Sequence, residues 1–296
     1  MYIPNDLKQT AQKYALGKYI VNPVFTNNQA LEHWIEQIDF EKFESDDYRM
    51  QLHSRKRNNL YSFYLPCMDK QVVLKVSQIS KHYSWYRKLN LILVDLIKNY
   101  SLNAYYGAVA LEKINVDSLK VIAHWTSKRQ NQSSKSYLLY EKVQANMSVF
   151  DLCQQLREKN PDSNQLIEKI SKSLASIIRN IHLHNLRHGD PHAGNFLIQS
   201  DVSDVHQLTS SNINQLKITL IDLDKVQFAQ NESRWRKKVL DIRCIRRFRI
   251  PTIESLECLE HYLDRRPSFS ERLILKFWMR GGFNIYKWIK ASNKRN

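Results

Sequence analysis

Three short stretches carry side chains suited to one chemistry. Residues 188–196 read HGDPHAGNF, residues 220–225 read LIDLDK, and residues 72–76 read VVLKV. Moving the γ-phosphoryl group of a nucleotide to a hydroxyl requires a carboxylate that orients the hydroxyl and takes its proton. It also needs oxygen ligands for magnesium and a cation on the nucleotide phosphates. Asp190 lies in a loop after a long helical pattern, where its carboxylate can receive the proton. Asn195, five residues on, can turn back toward a metal. Asp222 ends the apolar run KITLI, where an ionised carboxylate is costly unless a cation or hydrogen bonds compensate it. Magnesium bridging the β- and γ-phosphates would be that cation. Lys75 interrupts an apolar strand, which gives it a rigid mount toward the α- and β-phosphates.

The elements that must position these groups are legible in the hydrophobic periods. From residue 48 three short aromatic and β-branched runs, YRMQLHS, NLYSFYL and QVVLKVS, predict three antiparallel strands joined by tight turns. HYSWYRKLNLILVDLIKNY has helical spacing through Trp85, Leu89, Ile92, Leu93 and Leu96. Further strand-like runs follow, YYGAVALEKI with VIAHW, and then YLLYEKV. Downstream the pattern turns helical. SVFDLCQQLRE opens on a Ser cap, and a long helix carries Leu166, Ile167, Ile170, Leu174, Ile177, Ile178 and Ile181 into the HGD stretch. A polar Ser/Asn-rich segment between NFLIQ and KITLIDLD predicts a hairpin with a long surface loop. Residues 1–47, with a helix in NNQALEHWIEQIDFEKF, read as an extension ahead of the main fold.

A strand lysine, an H-G-D-x-H-x-G-N-F loop and an I-D-L motif, in this order, resemble the kinase-like fold of bacterial lipopolysaccharide core kinases, and most of all the heptose kinase branch. The resemblance covers roughly residues 48–250. It implies an α+β, two-lobed protein-kinase-like fold, with an antiparallel-sheet lobe over 48–145 and a mostly helical lobe over 146–296. It implies an ATP- and magnesium-dependent sugar kinase with Asp190 as catalytic base, Asn195 and Asp222 as metal ligands and Lys75 as phosphate anchor. His192 would line the catalytic site or hold its loop. Glu141 and Val143 match the hinge position, where backbone groups would meet the adenine edge. The implied substrate is a heptose hydroxyl in the lipopolysaccharide inner core.

Other features depart from the pattern or add to it. No G-x-G-x-x-G loop joins the first two strands; the turn is SRKRNN, where Arg55, Lys56 and Arg57 would cover phosphates by charge. No glutamate occurs between Lys81 and Tyr100 to pair with Lys75, and Asp95 is the substitute available. Asp224 reads either as a second metal ligand or as an ion-pair partner of Lys225, His188 as a structural loop histidine, and Asp241 either as an anchor of the catalytic loop or as a surface carboxylate.

The net charge is +16, and residues 231–296 hold 17 Lys and Arg against 7 Asp and Glu. Such a surface attracts polyanions. KFWMRGGFNIYKWIK interleaves aromatics with basic residues, as an anchor on anionic lipid does, although an ordinary terminal helix fits it equally. No apolar run of about 18 residues and no export signal is evident. The four cysteines show no metal or disulfide spacing. Taken with these features, the resemblance implies a chain in the cytoplasm, peripheral on the inner face of the inner membrane, with lipopolysaccharide core as substrate and no nucleic acid as partner. The alternatives keep the fold and change the target: a kinase of protein or of a small aminoglycoside-like molecule, or a pseudokinase or binding module.

Overall fold

The computed structural model describes residues 5–7, 15–16, 19–25, 28–37, 50–54, 58–77, 100–127, 135–145, 147–159, 163–199, 208–209, 216–228, 241, 260, 262–266 and 268–272. In chain order the strands and α-helices are β1 (Ala15–Leu16), β2 (Tyr19–Val21), α1 (Gln29–Gln37), β3 (Met50–Ser54), β4 (Asn58–Leu65), β5 (Lys70–Ser77), α2 (Tyr100–Lys113), β6 (Val121–Ser127), β7 (Lys135–Glu141), β8 (Met147–Ser148), α3 (Val149–Lys159), α4 (Ser163–Leu183), β9 (Leu186–Arg187), β10 (Phe196–Gln199), β11 (Lys217–Leu220) and β12 (Gln227–Phe228). Two compact units result. One comprises residues 1–146, 197–199 and 217–228, the other 147–196, 200–216 and 229–296.

The first unit is built on a seven-stranded antiparallel sheet in the order β1-β2-β6-β7-β5-β4-β3. The expected strands β3, β4 and β5 form as a meander. One face of the sheet packs a dry core of Val72, Leu74, Val76, Trp125, Tyr137 and Leu139. Helix α1 adds Leu31 and Ile35 to that core, and its Trp34 stacks on Phe63 at 5.8 Å. Asn28 caps this helix by accepting from the Leu31 N–H, and its amide donates to the Cys67 carbonyl. Residues ahead of 48 therefore do more than precede the fold. Strand β2 extends the sheet beside β6, and Asn22 is tied to the Val121 and Ile122 carbonyls at 2.8 Å each.

The run YYGAVALEKI, expected as a strand, lies in helix α2. Ten residues between Ser101 and Leu111 are buried, so the helix has almost no polar face and its sequence lacks the 3.6-residue alternation that marks an exposed helix. Its alanines and Leu111 favour the helical state despite the aromatics. The helix expected over 82–100 lies outside the described residues apart from Tyr100, as do Arg55, Lys56 and Arg57 of the SRKRNN turn, Asp95 and the basic aromatic tail.

In the second unit, the Ser148 hydroxyl and the Asp151 carboxylate reciprocally cap α3: the Asp151 N–H donates to Ser148 Oγ at 3.2 Å, and Ser148 Oγ donates to Asp151 Oδ2 at 2.6 Å. Helix α4 buries Leu166, Ile167, Ile170, Leu174, Ala175, Ile178 and Ile181, the expected stripe with Ile177 only half-buried. It ends where Asn185 turns left-handed at φ 58°.

Candidate active site

Lys75 projects from β5 in a cross-strand row with Leu60, Leu138 and His124. Its Nζ lies 2.6 Å from Asp224 Oδ2 and 3.5 Å from Asp222 Oδ1. The Lys75 and Asp224 side chains are 11% and 19% exposed, whereas Asp222 is 44% exposed. Burial on its own would lower the Lys75 pKa, but the Asp224 and then the Asp222 carboxylate more than reverse this and the lysine is raised and stays charged. Tyr140, on β7 of the same unit, is shifted upward by burial and by the same two carboxylates. The missing helix glutamate thus has a replacement within the IDLD turn itself, and Asp224 pairs with Lys75.

The turn that presents both aspartates is fixed from several sides. Strand β11 runs beside residues 117–119, with the Leu119 N–H donating to the Leu220 carbonyl, the Leu220 N–H to the Asp117 carbonyl, and the Thr219 hydroxyl to Asp117 Oδ2. Asp222 adopts φ 55°, which swings the chain into the Leu223–Lys225 turn. Gly107 of α2 meets Val226 so closely that a Cβ there would lie 2.9 Å from Val226 Cβ. That glycine permits the helix to rest on the end of the acidic turn.

The HGDPHAGNF loop belongs to the second unit and is held by its own backbone. Gly189 takes φ 83°, a conformation that side chains resist, which explains a glycine beside Asp190. The Asn195 amide donates to the Asp190 carbonyl at 2.9 Å, the His192 N–H donates to the same carbonyl at 2.8 Å, and the Asn195 N–H donates to the His192 carbonyl. Buried His188 accepts the Asp190 N–H on Nδ1. Beneath the loop Asp241, 0% exposed, accepts the His188 and Gly189 N–H groups, stands 3.1 Å from His182 Nε2, and has Arg187 Nε at ion-pair distance, 3.2 Å, without hydrogen-bond alignment. Of the two readings of Asp241, the loop anchor is the one observed.

At the end of β7 the Glu141 N–H donates to the Lys120 carbonyl and the Lys142 N–H to the Gln71 carbonyl. The chain is pinned on both sides just before Val143. The Glu141 side chain pairs with Lys70. Asp190, His192 and Asn195 thus share one loop of the second unit, while Lys75, Glu141, Val143 and Asp222 belong to the first. Arg55 and Arg57 lie outside the described residues. Nothing in the sequence singles out Tyr262, which contacts His182, and His182 itself continues the apolar stripe of α4 and reads as core.

The acidic turn fits a divalent cation. Asp224 Oδ1 is buried with no hydrogen-bond partner, beside the more exposed Asp222 carboxylate. Among the described residues no group of three or more His, Cys, Asp or Glu comes together. Magnesium commonly takes one or two protein carboxylates and completes its shell with phosphate oxygens and water.

Residues 108–277 match the model of the lipopolysaccharide kinase (Kdo/WaaP) family. The chain belongs to this family. It is accordingly an ATP-dependent phosphotransferase of lipopolysaccharide core, with Asp190 and Asp222 both inside the matched segment. Among solved structures, one described as WaaP in complex with acyl carrier protein is similar at a TM-score of 0.59, covering 94% of this chain and 98% of that chain at 13% identity. At that identity the likeness is one of fold, and it agrees with the α+β kinase-like architecture. No match was found among the curated proteins. Among the described residues no helix is long and apolar enough to cross a membrane.

Proposed function

We propose that this lipopolysaccharide kinase phosphorylates a heptose hydroxyl of the inner core, with Asp190 accepting the hydroxyl proton. Asn195 and Asp222 would hold magnesium, which neutralises charge developing between the β- and γ-phosphates when bound. Lys75 anchors phosphates from its strand, and the backbone of Glu141 and Val143 faces the adenine edge. His192 shapes the loop beside Asp190, and Arg55 and Arg57 add positive charge toward the phosphates. In this reading 48–145 and 146–296 act as the two lobes, with 1–47 extending the first.

The observation that carries the reading is the grouping of Lys75 with the Asp222 and Asp224 carboxylates, one oxygen of which is buried without a partner. A phosphate anchor and carboxylates able to hold a cation are thereby brought together. The basic aromatic tail supports action at the cytoplasmic face of the inner membrane, where it would bind anionic lipid and release it at high salt.

The test is transfer of labelled γ-phosphate from ATP to heptose-containing core oligosaccharide by the purified protein. Transfer that requires magnesium and disappears in Asp190→Ala, with unfolding temperature unchanged, supports the assignment. Near-normal turnover of that variant removes Asp190 from the role of base.

A further inference from the structure

Tyr262, His182 and Asp241 form a buried chain that ends on the backbone of the HGDPHAGNF loop. Tyr262 Oη stands 2.7 Å from His182 Nδ1, and His182 Nε2 stands 3.1 Å from Asp241 Oδ2. That same Oδ2 accepts the His188 N–H at 3.1 Å, and the Gly189 N–H reaches both carboxylate oxygens. All three side chains are shut off from water.

The chemistry of these groups favours one assignment of protons. A carboxylate only accepts, so the ring nitrogen that faces Asp241 must carry hydrogen. Arg187 already sets a positive charge 3.2 Å from Asp241, so a second cation on the imidazole is not required for balance. The Nε2–H tautomer presents Nδ1 as an acceptor, and among the described residues the group placed there is the Tyr262 hydroxyl. That hydroxyl keeps its proton, because burial, and next the neighbouring Asp241, push its pKa upward. The Tyr262 and His182 rings meet edge to face with centroids 5.6 Å apart.

We propose that Tyr262 is a positioning residue for phosphoryl transfer: by donating to His182 Nδ1 it selects the Nε2–H tautomer, which holds Asp241 in the orientation that grips the His188–Asp190 backbone. The inference rests on the reading of Asp190 as base. Tyr262 touches neither substrate nor nucleotide and acts entirely through His182 and Asp241.

Removing the hydroxyl leaves Nδ1 buried without its donor and lets the imidazole shift to the other tautomer, which turns a lone pair toward Asp241. Tyr262→Phe should lower kcat for phosphate transfer from MgATP to core oligosaccharide by about tenfold, with KM for ATP changed by less than about twofold. His182→Gln places an amide N–H toward Asp241 whatever Tyr262 does. Adding Tyr262→Phe to His182→Gln should therefore cost less than about twofold more. Nitrogen NMR of histidine-labelled wild type should show His182 as Nε2–H, and Tyr262→Phe should show a mixture. Equal losses from Tyr262→Phe in both backgrounds, or a wild-type His182 that is Nδ1–H or doubly protonated, would overturn the proposal. The wild-type spectrum needs no variant to fold. It also separates the two readings, since turnover retained by Asp190→Ala would remove the base assignment while leaving the tautomer result to judge Tyr262.

Discussion

Asp222 and Asp224 are two residues apart and both face Lys75, yet their removal should leave opposite signatures. The Asp224 pair is short, 2.6 Å, and mostly buried on both sides. Its direct attraction at an effective permittivity near 20 is roughly 6 kcal/mol, most of which offsets desolvation. Breaking a buried pair costs about 3–5 kcal/mol because the remaining charge is stranded. Asp224→Ala also removes the buried, unpartnered Oδ1, which recovers about 1 kcal/mol. The net loss is then about 2–4 kcal/mol, or roughly 3–6 °C in Tm for a chain of this size. Asp222 is 3.5 Å away and 44% exposed, so water screens it, and Asp222→Ala should cost under about 1 kcal/mol. Activity should run the other way in one respect: Asp222→Ala, which removes the proposed magnesium ligand, should cut kcat at least roughly a hundredfold while the protein stays stable. Lys75→Met combined with Asp224→Leu, which replaces the pair instead of breaking it, should recover most of the stability lost by Lys75→Met alone. Thermal unfolding followed by circular dichroism, beside phosphate transfer, reads both quantities. A Tm loss from Asp222→Ala equal to or larger than that from Asp224→Ala would refute this division of roles.

Two further outcomes follow from the first unit. His124 is buried with Nε2 unpartnered, and burial pushes its pKa down from 6.5 to about 4. The folded state thus favours the neutral ring, so its contribution is complete above pH 6.5 and fades as pH falls toward 4, by up to ~3 kcal/mol. Urea unfolding at pH 7 and pH 4 should show this loss reduced in His124→Leu; an unchanged pH dependence would contradict it. Gly107→Ala drives a methyl group against stiff, β-branched Val226 and should destabilise by about 1–2 kcal/mol despite the better helix propensity of alanine. Adding Val226→Ala should relieve the clash, and a double variant no better than the sum of the two singles would show that the contact is not the cause.

What could be read from the sequence depended on how locally each feature is encoded. The meander β3–β5, the stripe of α4 and the Ser148 cap follow from period and spacing within one element, so they were legible. The HGDPHAGNF and LIDLDK stretches were legible for a similar reason, because their backbone constraints, such as φ 83° at Gly189, are local. Helix α2 was misread because burial on nearly all sides erases the amphipathic signal. The pairing of Lys75 with Asp224 joins residues 149 positions apart, and no local pattern announces it. Strand β2 was hidden for another reason: three residues are too few to show an alternation, and their place is set by pairing with β6, a hundred residues later. Tyr262 and His182 look like ordinary core residues, and only their hydrogen bonds reveal a polar chain.

The most direct test of the central claim is mass spectrometry of lipopolysaccharide core purified from cells with the gene intact, deleted, and restored as wild type or as Asp190→Ala. Deletion should remove one phosphate from a heptose, wild type should restore it, and Asp190→Ala should not. An unchanged core in the deleted strain, or a phosphate restored by Asp190→Ala, would contradict the claim.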